Sequence, residues 1–327
     1  MKAVVYTRYG TPDVLQIGDV ATPTPQDDAV LIKVHAASIN AADWHIMTAD
    51  IFLARLAMGL LKPKNPLLGG DLAGVVEAVG KNVTQFQPGD AVYGDILDAG
   101  HGSFAEYVCA PENILVKKPA RLSFEQAAAI PLAATTALQG LRDKGGIQPG
   151  QKVLIQGASG GVGTYAVQLA RYFGAEVTGV CSTKNLDMVR SLGADHVIDY
   201  TQEDVTRSGQ HFDLILGING YHHILDYRRI LNPNGKYVMV GGTAAQLFQA
   251  LLLGPVVSML GSRKMIVLSA KSSQQDLAFL TELIAAGKIA PVIDTSYPLS
   301  EAVAAFRYFG DTHPKGKVVI TVTPEHS

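Results

Sequence analysis

The stretch KVLIQGASGGVGTYAVQLARYFGAEVTGV carries the strongest chemical signal in the chain. A β-branched run ending at Gln156 leads into Gly157-x-x-Gly160-x-x-Gly163, and an alanine-rich segment continues to Phe173. A strand that turns through glycines into a helix leaves the first N–H groups of that helix unpaired, so hydrogen bonding and the helix dipole both favour an anion there. Glycine is needed where the backbone comes close to phosphate oxygens and where the helix packs on the strand. The pyrophosphate of a dinucleotide meets both conditions. Gly157, Ser159, Gly160, Gly161, Val162 and Gly163 are the expected contacts.

About 20 residues beyond such a turn, an acid commonly bonds both ribose hydroxyls of NAD. Here the position falls in GVCSTKN, and Cys181, Ser182, Thr183 and Lys184 include no carboxylate. Ser182, Thr183 and Lys184 are donors suited to an anion on that ribose, and the 2′-phosphate of NADPH is such an anion. A charge-assisted contact of this kind is worth roughly 1.5–3 kcal/mol, or about 10- to 150-fold in cofactor preference. NADPH is the expected cofactor.

Strands and helices must position these groups. From about residue 121 the runs KVLIQG, EVTGVC, HVIDY, FDLILGI, KYVMVGG and KMIVLSA alternate mostly with helical segments, which predicts an α/β fold with a doubly wound parallel sheet. SFEQAAAIPLAATTALQGLRDKG reads as one helix capped by Ser123. Before it, short runs such as AVLIKVHAA, GVVEAVG and SFAEYVCA, divided by turns, read as β-rich. The last residues return to a helix, LSEAVAAFRYFG, and a strand, GKVVITV. The expected domains are 1–121, completed by about 292–327, and 122–291 for the dinucleotide.

The 327 residues have room for both, with 47% hydrophobic and 17% charged residues. A net charge of −2 argues against nucleic acid as a partner. Two cysteines, Cys109 and Cys181, make no disulfide framework, and MKAVVYTRYG reads as a strand rather than a signal peptide, so a cytoplasmic protein is expected. The apolar stretch 244–261 approaches the length of a membrane span, but it contains Gln246 and Gln249, and Gly254–Pro255 should break it. Two short helices on a buried face or a subunit interface are expected, with membrane association the lesser alternative.

ASGGVG, with a second domain before it, resembles the quinone oxidoreductase branch of the medium-chain dehydrogenase/reductase superfamily. The likeness runs nearly end to end through GKNVTQFQPGDAVYG, GSFAEYV, AAAIPLAATTALQGL, LGADHVIDY and GKVVITV. It implies a GroES-like catalytic domain, a Rossmann domain, a cofactor cleft between them, and a homo-oligomer. It also implies that Tyr200 lies near the 2′-phosphate and Thr136 near the nicotinamide. By the same resemblance Asn219, Gly241, Gly242 and Leu268 line the crevice, and Lys317 is either a second cation or a solvated first residue of its strand. Asn40 would orient substrate or cofactor, with Asp43 structural.

Zinc dehydrogenases of the superfamily carry an early cysteine and a Gly-His-Glu. Here SINAADWHI places Asn40 or its neighbours at the first position, and Gly70–Asp71 replaces His-Glu. Three protein ligands are required for catalytic zinc. His35 reads as core or interface, His222 and His223 are adjacent and diverge, and His45 and His101 remain with Asp43 or Asp95. No metal is expected.

Without a Lewis acid to hold an alkoxide, the easier reaction is hydride delivery to an electron-poor acceptor, a quinone or an α,β-unsaturated carbonyl. The expected partner is therefore a small apolar electron acceptor. Tyr93 is a candidate donor, though it reads more readily as a packed strand residue. The insertion with Trp44, Ile46, Met47, Ile51, Phe52 and Met58 is either an apolar lid or core. Alternatives are an alcohol dehydrogenase, an enoyl-thioester reductase, or an NADPH-binding protein of low turnover.

Overall fold

Runs of β-branched residues broken by Gly, Pro and Asp form β1 (Lys2–Val5), β2 (Gln16–Asp19) and β3 (Ala29–Ile39). The insertion follows as α1 (Ala41–Thr48) and α2 (Arg55–Met58). Then come β4 (Asp71–Val79), β5 (Ala91–Asp95), β6 (Tyr107–Pro111), β7 (Leu115–Lys117) and α3 (Phe124–Ala128). The alternating part comprises α4 (Pro131–Leu138), β8 (Lys152–Gln156), α5 (Gly161–Tyr172), β9 (Glu176–Cys181), α6 (Leu186–Ser191) and β10 (His196–Asp199). It continues with β11 (Phe212–Gly217), α7 (Ile224–Arg229), β12 (Leu231–Met239), α8 (Ala244–Met259) and β13 (Lys264–Val267). The chain closes with α9 (Gln274–Ala285), β14 (Ile293–Pro298), α10 (Ala302–Thr312) and β15 (Lys317–Thr321). This is a computed structural model, and it describes residues 1–50, 55–242, 244–259 and 261–323.

The chain divides into two units, Met1–Ala133 with Ser272–Ala285 and Pro291–Ser327, and Ala134–Lys271 with Ala286–Ala290. The expected boundaries differ from this division. α3 packs with the first unit, where His35 stacks on Phe124 with ring centroids 4.2 Å apart. α9 does so too, through Gln274 Nε2, which donates to Leu115 O at 2.7 Å. The single helix expected from Ser123 onward is two. Ser123 does cap the first, accepting from Gln126 N at 3.1 Å, but α3 stops before Pro131, because the residue preceding a proline is driven out of the helical region.

In the first unit, the sheet order is β14-β15-β3-β4-β5-β7, with β6 also paired to β3. Its registers oppose Ile39 to Val318 and Ser38 to Asp71, so the end of β3 meets the starts of both β15 and β4. The core beside it contains Tyr6, Met47, Phe104 and Phe306, and Trp44 and Ile46 pack against it. Those insertion residues are therefore core rather than lid; Ile51 and Phe52 lie outside the described residues.

In the second unit six parallel strands run β10-β9-β8-β11-β12-β13. Numbered within the unit this is 3-2-1-4-5-6, the doubly wound order whose ligand crevice opens at the carboxyl ends of β8 and β11, where the strand order reverses. Buried Leu154, Ile215, Tyr227 and Tyr237 belong to its core. Contrary to the expected break, α8 runs through Pro255. A proline there removes one backbone bond. The last turn is held instead against β13, where Ser258 Oγ accepts from Met265 N at 2.9 Å and Lys264 Nζ donates to Ser258 O at 2.9 Å. No helix among the described residues is long and apolar enough to cross a membrane.

In α10, a Cβ placed on Gly310 would overlap the Trp44 indole. Alanine favours a helix by about 1 kcal/mol over glycine. Overpacking commonly costs about 1–3 kcal/mol, so the steric effect should win. Gly310→Ala is expected to lower the thermal midpoint; a raised midpoint in a melting experiment would show that the indole moves aside freely.

Candidate functional site

Two groupings of polar residues stand out, one in each unit. In the first, Asn40 follows the end of β3, and its backbone N–H donates to Asp43 Oδ2 at 2.8 Å, closing the first turn of α1. Its side-chain Nδ2 donates to Asp71 Oδ2 at 2.9 Å, and its Oδ1 accepts from Lys317 Nζ. Asp71 Oδ2 also accepts from Ser38 Oγ at 2.9 Å and Lys317 Nζ at 3.2 Å, while Oδ1 accepts from Leu132 N at 2.8 Å. Asp71 is 0% exposed, Lys317 2% and Asn40 5%. One ammonium thus ties together the starts of β4 and β15 and the end of β3.

Two further carboxyls surround it. Burial pushes Asp43 up to about 7; the Asn40 N–H and the Lys317 charge oppose the shift, and the Asp71 and Asp95 carboxylates add to it. Its Oδ1 is buried without a hydrogen-bond partner among the described residues. Asp95, opposite Asp71 in the β4–β5 register, is pushed up to about 6 by burial and by Asp71. Asp95 accepts from Leu97 N and from Ser272 Oγ, both at 2.9 Å.

Three sequence expectations change here. Lys317 was expected to be a second cation for the cofactor, but pairing of β15 with β3 turns it inward onto Asp71 and Asn40. Asn40 was expected to face substrate or cofactor, and both ends of its amide are bonded within the unit instead. Tyr93 is fully buried and its hydroxyl lies 2.6 Å from Thr281 Oγ1, which itself donates to Leu277 O. Burial pushes the Tyr93 phenol up to about 12, against the effect of the Thr281 bond, so it is a packed strand residue and not a donor to substrate. His45, weighed for metal binding, lies 2.9 Å from Asp50. Among the described residues no group of three or more His, Cys, Asp or Glu is placed to hold a metal.

The second grouping lies at the carboxyl ends of the parallel strands. β8 ends at Gln156, and Gly157 turns the chain at φ +85°. A Cβ on Gly163 would collide with the Gly157 carbonyl, so only glycine lets α5 pack so closely on the strand. Gly160 occupies the N-cap position of α5 with no side-chain cap, so the N–H groups of Gly161, Val162 and Gly163 are left for another acceptor. Ser159 lies within the turn.

At the end of β9, Ser182 Oγ accepts from Asn185 Nδ2 at 3.3 Å, which leaves its own proton to donate. Lys184 is exposed and forms no ion pair among the described residues. Tyr200 follows β10 and is 44% exposed. Asn219 follows β11, where its N–H donates to Gln156 O at 3.4 Å. Gly241 and Gly242 follow β12, with Gly242 bridged to Gly220. Leu268 follows β13 and donates its N–H to Met239 O at 2.8 Å. Thr136 is buried in α4, outside this row of strand ends. The chemistry fits a dinucleotide: helix N–H groups for phosphate, and two buried acceptors, Gln156 Oε1 and Asn185 Oδ1, without partners among the described residues.

Sequence reading missed two residues. The β9–β10 register sets Asp199 beside Cys181, so an acid does stand at this corner. The Thr183 hydroxyl above all holds the Asp199 carboxylate below its ordinary range; burial opposes it, and the Thr201 hydroxyl and the N–H groups of both threonines add to it. Thr183 therefore donates to Asp199 rather than into the crevice. Only the strand register reveals this. The other is Tyr221, an aromatic just past the run FDLILGI, whose place in the sequence was visible but whose neighbours were not.

The alcohol dehydrogenase GroES-like domain family matches residues 26–120, and the zinc-binding dehydrogenase family matches residues 192–320. A chloroplast envelope quinone oxidoreductase homolog of Arabidopsis thaliana is 34% identical over 98% of each chain. An NADPH-dependent alkenal/one oxidoreductase of the same plant is 34% identical over 99% of this chain and 80% of its own. Among solved structures, the quinone oxidoreductase from Coxiella burnetii superposes with a TM-score of 0.87 at 32% identity, covering 98% of this chain and 99% of that one. The Rossmann and GroES-like pairing expected from the sequence agrees with these matches.

The Asp43 carboxyl has a pH consequence. Unfolded, it titrates near about 4. In the folded chain it holds its proton to about 7, so the stability this provides is complete below the unfolded value and is lost as pH rises through the folded one. Asp43→Asn keeps an acceptor for the Asn40 N–H and removes the charge. Its thermal midpoint should match the wild type near pH 3.5 and exceed it near pH 8.5 by about 3 °C or more. A variant no more stable at the higher pH would mean that the ionised carboxylate is well accommodated.

Proposed function

Because this chain belongs to the zinc-independent quinone oxidoreductase branch of the medium-chain dehydrogenase/reductase superfamily, we propose that it is an NADPH-dependent, metal-free oxidoreductase acting on a quinone or an α,β-unsaturated carbonyl. The observation that carries the cofactor choice is Lys184, exposed and without an ion pair among the described residues, beside the free Ser182 proton at the end of β9. Asp199, the acid set beside Cys181, is bonded to two threonines rather than left open to a ribose diol. In this reading Lys184, Ser182 and Tyr200 hold the 2′-phosphate. The first N–H groups of α5 take the pyrophosphate, and Gln156 Oε1 and Asn185 Oδ1 accept from ribose hydroxyls. Reduced nicotinamide, when bound, supplies the hydride. Tyr93, Asp43, Asp71 and Asp95 are all buried, and water is the proton source in this reading. The cytoplasm is the proposed compartment, on the two free cysteines, although relatives are named for chloroplast and mitochondrion.

A second copy of the chain is the proposed partner. In α8 the glutamines point inward, with Gln246 Nε2 donating to His222 O at 2.7 Å and Gln249 Oε1 accepting from Ile224 N at 3.4 Å. The outward face carries Phe248, Leu251, Leu252 and Met259, 50–86% exposed. Beside it β13 is the last strand of the sheet, with one edge available for pairing.

Consumption of NADPH with a panel of quinones, alkenals and simple ketones tests the reading; turnover of ketones alone would turn it into an alcohol dehydrogenase. Lys184→Ala should raise the KM for NADPH about tenfold and leave NADH nearly unchanged, and equal effects on both would refute the phosphate contact. Leu252→Glu should shift the chain from dimer to monomer in size-exclusion chromatography with light scattering. An unshifted dimer would remove α8 from the interface.

A further inference from the structure

Tyr200 and Tyr221 leave the sheet from different strands and meet. Tyr200 comes directly after β10, its N–H donating to Cys181 O at 3.1 Å. Tyr221 comes after β11, whose Gly217 is paired with Gln156 of β8. In the order β10-β9-β8-β11, the two strands between them carry the ribose stretch 181–184 and the glycine turn. The two rings approach across those strand ends, with centroids 5.9 Å apart and planes tilted by 58°.

Both rings are half-exposed, 44% for Tyr200 and 49% for Tyr221, yet the Tyr221 segment is braced. The His222 ring lies 4.2 Å from that of Tyr221. His222 Nε2 in turn lies 3.3 Å from Asp204 Oδ1, and its carbonyl accepts from Gln246. Gly220 is bridged to Gly242. Burial and the Asp204 carboxylate hold the Tyr221 phenol above its ordinary value, while a hydrogen bond with the Gln156 side chain opposes them. A large aromatic held from several sides, with a surface left open to solvent, has already lost the rotamer freedom that stacking a flat ligand would otherwise remove. Core packing alone would not leave these rings open beside Gln156, whose buried Oε1 has no partner among the described residues.

We propose that Tyr221, edged by Tyr200, is the stacking platform for the adenine base of the cofactor and so sets affinity for the adenosine end. This rests on the NADPH reading above and adds a residue to it. The Tyr200 hydroxyl remains available to the 2′-phosphate while its ring borders the base.

The test is equilibrium binding of adenosine 2′,5′-bisphosphate, followed by calorimetry, to the wild type, Tyr221→Ala and Tyr221→Phe. Base stacking on an aromatic predicts binding about tenfold weaker for Tyr221→Ala and near wild type for Tyr221→Phe. Reduced nicotinamide mononucleotide, a hydride donor without the base, should show unchanged kcat/KM in Tyr221→Ala. That also establishes that the variant is folded. Unchanged bisphosphate affinity in Tyr221→Ala, or an equal loss with the mononucleotide, overturns the platform alone. A wild-type chain that binds neither the bisphosphate nor NADPH overturns the cofactor reading instead.

Discussion

The Gly157 carbonyl stands where a side chain on residue 163 would have to be. That contact allows α5 to start directly above the end of β8 rather than beside it. The unpaired N–H groups of the helix then face the same crevice as the ends of β9 and β11. Everything assigned to a nucleotide in the second unit depends on this close approach, because phosphate held elsewhere would not bring a ribose to Ser182 and Lys184. The geometry is a backbone property, so a larger residue at 163 cannot be compensated by rotating a side chain.

The first unit depends on charge instead. Lys317 and Asp71, 3.2 Å apart and almost wholly out of solvent, are joined to Asn40 and Ser38 by hydrogen bonds. Removing one partner from such a pair typically costs about 3–5 kcal/mol, since the other charge stays buried alone. The exposed pair Lys2–Asp19, at 2.8 Å, is shorter, but water and salt screen it. Burial, not distance, sets the difference. The buried knot fixes where β3 ends and α1 begins, and it uses the groups that were expected to serve substrate or cofactor.

Polarity in α8 is arranged the opposite way from a surface helix, and the reason is local. Gln246 satisfies a backbone carbonyl inside the unit, so the leucines are left to face outward. The half-exposed tyrosines past β10 and β11 follow a related logic: the Tyr200 N–H and the Tyr221 hydroxyl are engaged while ring surface stays open. Apolar surface of this kind persists where something else covers it.

Much was legible in the residues because it follows from local chemistry. Spacing of Gly157, Gly160 and Gly163 after a β-branched run specifies strand, turn and helix through backbone sterics, and Ser123 caps its helix through its own hydroxyl. The alternation of runs was enough for a doubly wound sheet. Register was not legible, since nothing in VIDYTQ tells which residue of the neighbouring strand Asp199 will oppose, and so the acid beside Thr183 stayed hidden. Lys317 and Tyr93 have the composition of functional residues, and only pairing across hundreds of positions turns them inward to Asp71 and Thr281. Pro255 stops a helix in isolation, yet contacts of α8 with β13 carry it through. Local sequence determined the elements and the phosphate turn, because their causes lie within a few bonds of each residue. Tertiary structure decided which polar groups face a ligand, because that depends on partners brought from distant strands.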